Sequence, residues 1–226
     1  MTTHYRLYHY PLSPFCRKLR LALREKEINF DLIEERYWEK RDDFLALNRA
    51  GTVPVLRRGD QVFCDSQAIC EYIETVHPDR PLFPEDAMGQ YEVRRVVAWF
   101  DETFHRDVTS KLLEERVLKQ VRRQGEPNGI AVSDGIRKLR RHMQYMSSML
   151  EDTGFMVGWR VTLADLTAAA HVSCLDYLND IDWRREDYGI VKNWYAAMKS
   201  RPSFRPILSE YIPGFTGAPH YTVLDF

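Results

Sequence analysis

Residues 51–66 read GTVPVLRRGDQVFCDS, and this stretch decides the fold. Two short apolar runs, at 53–56 and 61–64, flank a Gly-Asp pair of the kind that forms tight hairpin turns. The stretch therefore predicts two strands joined by a turn over residues 57–60. Asp65 and Ser66 follow at once, and both residue types cap the start of a helix well. An apolar face after Ser66 predicts that helix.

The residues upstream of this hairpin predict a β-α-β unit. Residues 5–10, YRLYHY, are aromatic and nearly alternating, which favours a strand. Ser13 is a good N-cap and Pro14 fits the first helical position, so a helix should begin there. Residues 29–34, NFDLIE, predict the second strand. With the irregular stretch that follows and the hairpin, the order predicts one α/β domain over residues 1–77.

The residues downstream predict a second, all-helical domain. Residues 78–88 hold Pro78, Pro81 and Pro84 and are expected to form a linker, because proline cannot continue a helix. Thr162 and Asp165 have the spacing of a capping box. An all-α domain is expected over 89–212, with a Pro-, Gly- and aromatic-rich tail at 213–226, and the helices predicted within it are 90–119, 133–150, one after Thr162, 193–200 and 203–211.

Composition excludes several classes of protein. The 226 residues carry a net charge of −1, which argues against nucleic-acid binding. No stretch approaches the roughly 20 apolar residues that a membrane-spanning helix needs. The four cysteines are too scattered for a disulfide framework and show no metal-site spacing. The expectation is a reduced, cytoplasmic protein with no metal, no membrane insertion and no nucleic-acid partner.

Four motifs, in this order and spacing, resemble those of the glutathione S-transferase superfamily. They are Ser13-Pro14-Phe15-Cys16, Gly51-Thr52-Val53-Pro54-Val55-Leu56, Asp65-Ser66 and Thr162-Leu163-Ala164-Asp165. The resemblance covers nearly the whole chain. It implies a thioredoxin-like α/β domain followed by the all-helical domain of that family.

The resemblance also implies a glutathione site. Pro54 matches the family's cis-proline, and the backbone of Val53 before it would bind the cysteinyl part of glutathione. Asp65 and Ser66 match the pair that holds the γ-glutamyl end. Ser13 stands where serine-type members keep the catalytic hydroxyl that stabilises the glutathione thiolate. Glutathione is thus expected as a substrate or as a vestigial ligand.

One position departs from the family pattern. Many members have lysine before the Val-Pro pair, where it anchors the glycine carboxylate of glutathione, whereas this chain has Thr52. Losing such a charge-assisted hydrogen bond weakens a site by roughly 1.5–3 kcal/mol. Arg49 is the nearby candidate to replace the lost charge.

A narrower resemblance concerns the tail. Residues 218–221 (APHY) with Leu224-Asp225-Phe226 resemble the tail of FzlA-type proteins, bacterial members of the superfamily that bind the tubulin-like division protein FtsZ. This resemblance implies a homodimer that binds FtsZ and regulates its filaments. Asp225 and Phe226 are the predicted partner-binding residues of the tail, which should be ordered or form an interface.

Several residues keep two interpretations. Ser13 is either a catalytic hydroxyl or only a helix cap, and Cys16 is better explained as a buried structural thiol than as a redox group. Trp38 lies in a strongly charged stretch, so it is predicted to bind a partner or to line the glutathione cleft. Two functions follow: a protein-binding regulator of FtsZ filaments, or an active glutathione transferase that conjugates small electrophiles through Ser13.

Overall fold

A four-stranded mixed sheet organises the first part of the chain. In the computed structural model, which describes residues 4–224, its strands are β1 (Tyr5–His9), β2 (Phe30–Glu34), β3 (Val55–Arg58) and β4 (Gln61–Cys64). The strand order is β2-β1-β3-β4, with β1 parallel to β2 and antiparallel to β3, and β3 antiparallel to β4. This is the sheet of the predicted thioredoxin-like domain.

The hairpin is tighter than predicted. Arg57 and Arg58 belong to β3, where they pair with Val62 and Gln61, so only Gly59 and Asp60 form the turn. Gly59 takes a positive φ of 61°, which glycine adopts at no steric cost. A two-residue turn suffices at such a position, and the strand therefore extends further than the apolar run alone indicates.

Three helices accompany the sheet: α1 (Pro14–Glu25), α2 (Asp42–Leu47) and α3 (Ser66–Val76). The expected irregular stretch between β2 and β3 is wrong in part, because it contains α2 and a short 3₁₀ turn, Tyr37–Glu39. Phe44 is the buried residue of α2. A six-residue helix with one buried anchor shows too little periodicity to be recognised in the sequence.

The second part of the chain is helical, as predicted. One continuous helical stretch comprises α4 (Ala87–Ala98), α5 (Ser110–Leu113) and α6 (Lys119–Arg122), linked by the π-helical segments Trp99–Thr109 and Glu114–Leu118. It is followed by α7 (Gly129–Leu150), α8 (Leu163–Tyr177), a 3₁₀ turn at Glu186–Tyr188, α9 (Gly189–Lys199) and α10 (Arg205–Leu208).

Two helix starts show how caps set the boundaries. Helix α7 begins four residues before the predicted Ser133, because the Asn128 side chain accepts hydrogen bonds from the backbone N–H groups of Ile130 and Ala131. The predicted capping box at α8 is present: the Asp165 carboxylate accepts from the Thr162 N–H at 3.0 Å. All residues of α8 are buried, so it is the central helix of this part of the chain.

The chain divides into two compact units, one ending at Leu82 and the other beginning at Phe83. This boundary falls within residues 78–88, while the finer limits of the linker stay a prediction. No helix among residues 4–224 is both long and apolar enough to span a lipid bilayer.

Candidate functional site

The strand register brings the predicted site residues to one edge of the sheet. Because β1 is antiparallel to β3 and β3 to β4, the end of β1, the start of β3 and the end of β4 lie together. The end of β2 lies at the same edge, since β2 is parallel to β1. The residues that follow or precede these strand ends include Ser13, Val53, Pro54, Asp65, Ser66 and Trp38. Motifs more than 50 residues apart thus meet at one place.

Ser13 is the N-cap of α1. Its Oγ accepts a hydrogen bond from the Cys16 N–H at 3.3 Å, and Ser13 is buried. The hydroxyl accepts in this bond, so its proton remains available to a thiolate placed beside it. Capping and thiolate stabilisation are therefore compatible at this residue. Cys16 is fully buried, and its Sγ lies 3.5 Å from the Tyr10 backbone nitrogen, which agrees with a structural thiol.

The peptide bond between Val53 and Pro54 is cis, the isomer that the family resemblance implies. The backbone N–H and C=O of Val53 form no hydrogen bond with any other residue in the described part of the chain. A peptide ligand running antiparallel to this segment could pair with both groups, as an added strand does at a sheet edge. This is what the cysteinyl part of glutathione would require.

Asp65 has an unusual backbone, with φ 71° and ψ 123°. Non-glycine residues in such conformations cost on the order of 1–3 kcal/mol and concentrate at functional sites. Its Oδ1 accepts from the N–H groups of Gln67 and Ala68, both at 2.9 Å, so the carboxylate caps α3. Ser66 is the first residue of α3 and is buried. Its backbone N–H lies at the positive end of the helix dipole, a setting that favours a carboxylate ligand.

Lys40 is a site residue that sequence reasoning missed. Its Nζ donates to the Gly51 carbonyl at 2.9 Å, which places an ammonium group beside the segment that leads to Thr52. Gly51 has a φ of +60°, and a Cβ there would lie 2.6 Å from the Lys40 Nζ. A lysine 11 residues upstream of a glycine carries no sequence signal, because only the turn after the 3₁₀ segment brings them together.

Lys40 and Arg49 are thus two candidates to replace the charge missing at Thr52. Arg49 is exposed and forms no hydrogen bond or ion pair within residues 4–224. Thr52 itself is exposed and accepts from the Asn48 side chain through its carbonyl oxygen at 2.8 Å and its hydroxyl at 3.1 Å. This edge offers the backbone N–H and C=O of Val53, the start of α3 at Ser66 and a nearby cation, Lys40 or Arg49. These groups fit a small peptide that carries carboxylates.

Trp38 lies at the same edge and is half-buried. Its ring meets the Tyr10 ring edge to face, with centroids 5.0 Å apart, and the Tyr37 ring at 5.3 Å. Burial raises the pKa of Tyr10 far above its ordinary value, so its hydroxyl stays protonated. The indole is therefore held in place by other aromatic rings while part of its surface remains open, as in an aromatic interface anchor.

Buried cations surround the end of β1. Arg17 and Arg20 in α1 are almost completely buried, and the Arg17 Nε donates to the Pro11 carbonyl at 2.8 Å. Burial, followed by these two guanidinium groups, lowers the pKa of His9 to about 3. His9 is therefore neutral at physiological pH and adds no positive charge to this edge of the sheet.

The other predicted residues stand apart from this edge or beyond the described chain. Asp225 and Phe226 lie outside the described residues. The residues before them, 213–224, form a tail segment that packs against the helices of the second unit, which begins at Phe83 and is here called the helical unit. Tyr221 of this segment is buried. Across residues 4–224, no three His, Cys, Asp or Glu side chains are grouped as a metal site requires.

Two family models match the chain. The model of the glutathione S-transferase N-terminal domain matches residues 7–81, and that of the C-terminal domain matches residues 136–210. The chain is also 40% identical to FtsZ-localized protein A from Caulobacter vibrioides, over all of both chains. A solved structure of FzlA from C. crescentus superposes with a TM-score of 0.94, covering 99% of this chain and all of that one.

Solved transferase structures are similar as well. A glutathione S-transferase from Rhodospirillum rubrum F11 is 43% identical, with a TM-score of 0.93 over 98% of this chain and all of the other. A glutathione S-transferase from Methylobacterium radiotolerans in complex with glutathione sulfonate is 27% identical, with a TM-score of 0.75 over 96% of this chain and 99% of the other.

Proposed function

The chain belongs to the glutathione S-transferase family, and on that premise we propose that it binds FtsZ-type division filaments and regulates them. The observation that carries the proposal is the full-length 40% identity to a protein named for its localisation with FtsZ. The alignment with this relative covers the whole chain, including the tail, which lies beyond residue 210, where the family model of the C-terminal domain ends.

Trp38, Asp225 and Phe226 are the proposed contacts for the filament protein. Trp38 supports this role through its geometry, since aromatic side chains held by their neighbours lose little entropy on binding. Aromatic anchors of this kind often dominate the energy of a protein interface. The tail is the second proposed contact, on the resemblance of its sequence to the tail of FzlA-type proteins.

The test is co-sedimentation of the full chain with FtsZ polymerised by GTP. The wild-type chain should enter the pellet at micromolar concentration, and Trp38→Ala should weaken binding at least tenfold, the loss typical of an aromatic anchor. Trp159→Ala is the matched control, because Trp159 is 78% exposed and lies in the other unit. A chain that stays in the supernatant, or equal losses for both variants, would refute the proposed role.

The tail should be tested by removing only Asp225 and Phe226. A longer truncation after Pro213 would also remove Tyr221, which is buried with 2% exposure, and so would damage the helical unit. Loss of binding in the short deletion, with unchanged thermal unfolding, would support direct contact by these two residues.

A second function, glutathione conjugation, is supported by the arrangement at the sheet edge. The Val53 N–H and C=O, which have no hydrogen-bond partner within residues 4–224, and the buried Ser66 suit the peptide, and the Ser13 hydroxyl suits its thiolate. The R. rubrum and M. radiotolerans relatives carry the transferase name, and the latter holds glutathione sulfonate. Under this proposal Val53, Pro54, Asp65 and Ser66 orient glutathione and Ser13 lowers the pKa of its thiol.

Calorimetric titration with reduced glutathione separates the two functions. Binding tighter than about 1 mM, or roughly 4 kcal/mol, would favour the enzyme, and Lys40→Met should then weaken it. The matched control is Arg49→Met, which removes the other candidate cation. No heat at several millimolar would leave the filament-binding function alone.

We further propose that the protein works in the cytoplasm as a homodimer. FtsZ is the proposed partner, so the two must share a compartment. We propose the dimer because proteins of this family are commonly dimeric. Sedimentation equilibrium at micromolar concentration tests it, and a single species of monomer mass would contradict it.

A further inference from the structure

A buried carboxylate in α8, that of Asp176, has three hydrogen-bond partners and one buried cation beside it. The Asp176 Oδ1 accepts from the Trp183 Nε1 at 2.7 Å and lies 2.8 Å from the His220 Nε2. The Asp176 Oδ2 accepts from the Tyr195 hydroxyl at 3.1 Å and lies 3.8 Å from the Lys199 Nζ. The Asp176 side chain has no exposed surface. A carboxylate this deep is tolerated only when its oxygens are satisfied, as they are here.

Lys199, at the end of α9, is the buried cation of this group. Its Nζ donates to the His220 carbonyl at 3.3 Å and to the Val223 carbonyl at 2.6 Å. It also lies over the rings of Tyr195 and Tyr221, at 5.5 and 5.9 Å from their centroids. The partners of this ammonium group therefore come largely from the tail segment, residues 213–224.

The rest of the tail segment is fastened to the same unit. The Ala218 N–H donates to the Tyr177 carbonyl at 2.9 Å, and the Tyr177 hydroxyl donates to the Phe215 carbonyl at 3.1 Å. The Gln120 side chain donates to the Gly214 carbonyl at 3.1 Å. The rings of Tyr177 and Tyr221 meet edge to face with centroids 5.0 Å apart. These bonds hold the segment along its whole length.

We propose that Asp176 and Lys199 are positioning residues for partner binding: they hold the tail segment, residues 213–224, on the helical unit in the conformation that binds the partner. This inference rests on the proposed binding of FtsZ. An unfastened segment of this length would have to be ordered when the partner binds, and that entropy cost would weaken binding. Because the segment is already held in the folded protein, its conformational entropy is lost on folding and not on binding.

The alternative is that the network only stabilises the helical unit, and two readouts on the full chain separate these roles. Amide hydrogen exchange measures whether Tyr221 and Val223 remain protected, since their N–H groups donate to the carbonyls of Ala218 and His220. Co-sedimentation with polymerised FtsZ measures binding. The variants are Lys199→Met, which removes the buried charge, and His220→Ala, a milder change because the His220 side chain is 29% exposed.

Trp194→Phe is the matched control. It removes a buried hydrogen bond of the same kind, from the Trp194 Nε1 to the Asp165 Oδ1 at 3.0 Å, in the same unit but away from the tail segment. It should lower the unfolding temperature yet leave tail exchange and FtsZ binding unchanged. Both tail variants should speed the exchange of Tyr221 and Val223 and weaken FtsZ binding at least fivefold.

Each other outcome has a definite meaning. Faster tail exchange with unchanged binding would overturn the positioning role, and so would unchanged exchange in both variants. An equal loss of binding in Trp194→Phe would assign the effect to stability alone. If wild-type protein with a protected tail does not bind FtsZ, the proposed function fails instead, and the exchange data show that the fastening itself was intact. If Lys199→Met does not fold, His220→Ala decides the question.

Discussion

Ser13 illustrates how much one residue can reveal and conceal in a sequence. The motif with Pro14 predicted a helix start, and the structure places the Ser13 side chain as the cap of α1. Its catalytic role stays a prediction, because capping and thiolate stabilisation use the same hydroxyl. Lys40 shows the opposite case: it lies beside Gly51 in space, yet nothing in the sequence links the two residues.

Replacing Ser13 by alanine should separate its two roles. Loss of the cap is expected to lower the free energy of unfolding by about 1 kcal/mol, measured by denaturant titration. If the chain conjugates glutathione, the same change should lower the rate at least tenfold. Ser13→Thr keeps a hydroxyl and is the control for both measurements. Conjugation that survives in the alanine variant would remove Ser13 from the mechanism.

At the scale of elements, long helices and the capped starts of α1, α3 and α8 were predictable, whereas the start of α7 and the short elements were not. The capping box at α8 was recognised because Thr162 and Asp165 have a fixed spacing. Helix α2 escaped recognition because its six residues bury only Phe44. The four side chains that meet at Asp176 were not predictable either, since they come from three different segments and only the packed fold brings them together.

Asp165 should be among the least replaceable residues of α8. Its carboxylate accepts from the backbone N–H groups of Met156 and Thr162, the Thr162 hydroxyl and the Trp194 indole, at 2.9 to 3.1 Å. Asp165→Asn cannot accept all four bonds, so we expect a loss of roughly 2–4 kcal/mol in unfolding free energy. Thermal and denaturant unfolding measure it.

The control for this change is Asp182→Asn, since the Asp182 side chain is 51% exposed and pairs with Arg184, a surface arginine. It should shift stability by less than about 0.5 kcal/mol. Similar losses of unfolding free energy for the two variants would show that the burial of the hydrogen bonds to Asp165 does not determine the loss.

For the whole molecule, composition and motif order predicted two parts of different architecture, and the structure has an α/β unit and a helical unit. An ordered tail was also expected from its aromatic content, and Tyr221 is buried. Where the tail packs could not be predicted, because its partners on α8 and α9 lie some 20 to 45 residues away in sequence.

The pH dependence of folding should carry the signature of His9. Its pKa is about 3 in the folded chain, below the ordinary value near 6.5, so the unfolded chain binds the proton more readily. Stability is therefore full above pH 6.5 and declines as the pH falls toward 3. At about pH 5 the loss in the free energy of unfolding that is due to His9 is roughly 2 kcal/mol.

His9→Leu removes the imidazole that takes up a proton on unfolding. The free energy of unfolding should therefore fall less between neutral pH and about pH 5 in this variant than in the wild type. The measurement is the free energy of unfolding of wild type and variant at neutral pH and at about pH 5, with the change in stability between them compared. The His9 Nδ1 has no hydrogen-bond partner within residues 4–224, so leucine breaks no bond of that atom there. An equal decline in both proteins would show that His9 is protonated in the folded state.

The burial of α8 on all sides has a consequence for biosynthesis. The helix emerges from the ribosome before the residues that cover it, because Trp194, Tyr195 and Tyr221 are all translated later. The part of its surface that those residues cover stays open until they have been made, which is when a nascent chain is exposed to chaperones or aggregation. The α/β unit has no such delay, since its sheet is complete by Cys64. Maturation should therefore proceed in two stages, with the helical unit closing only after its tail has been translated.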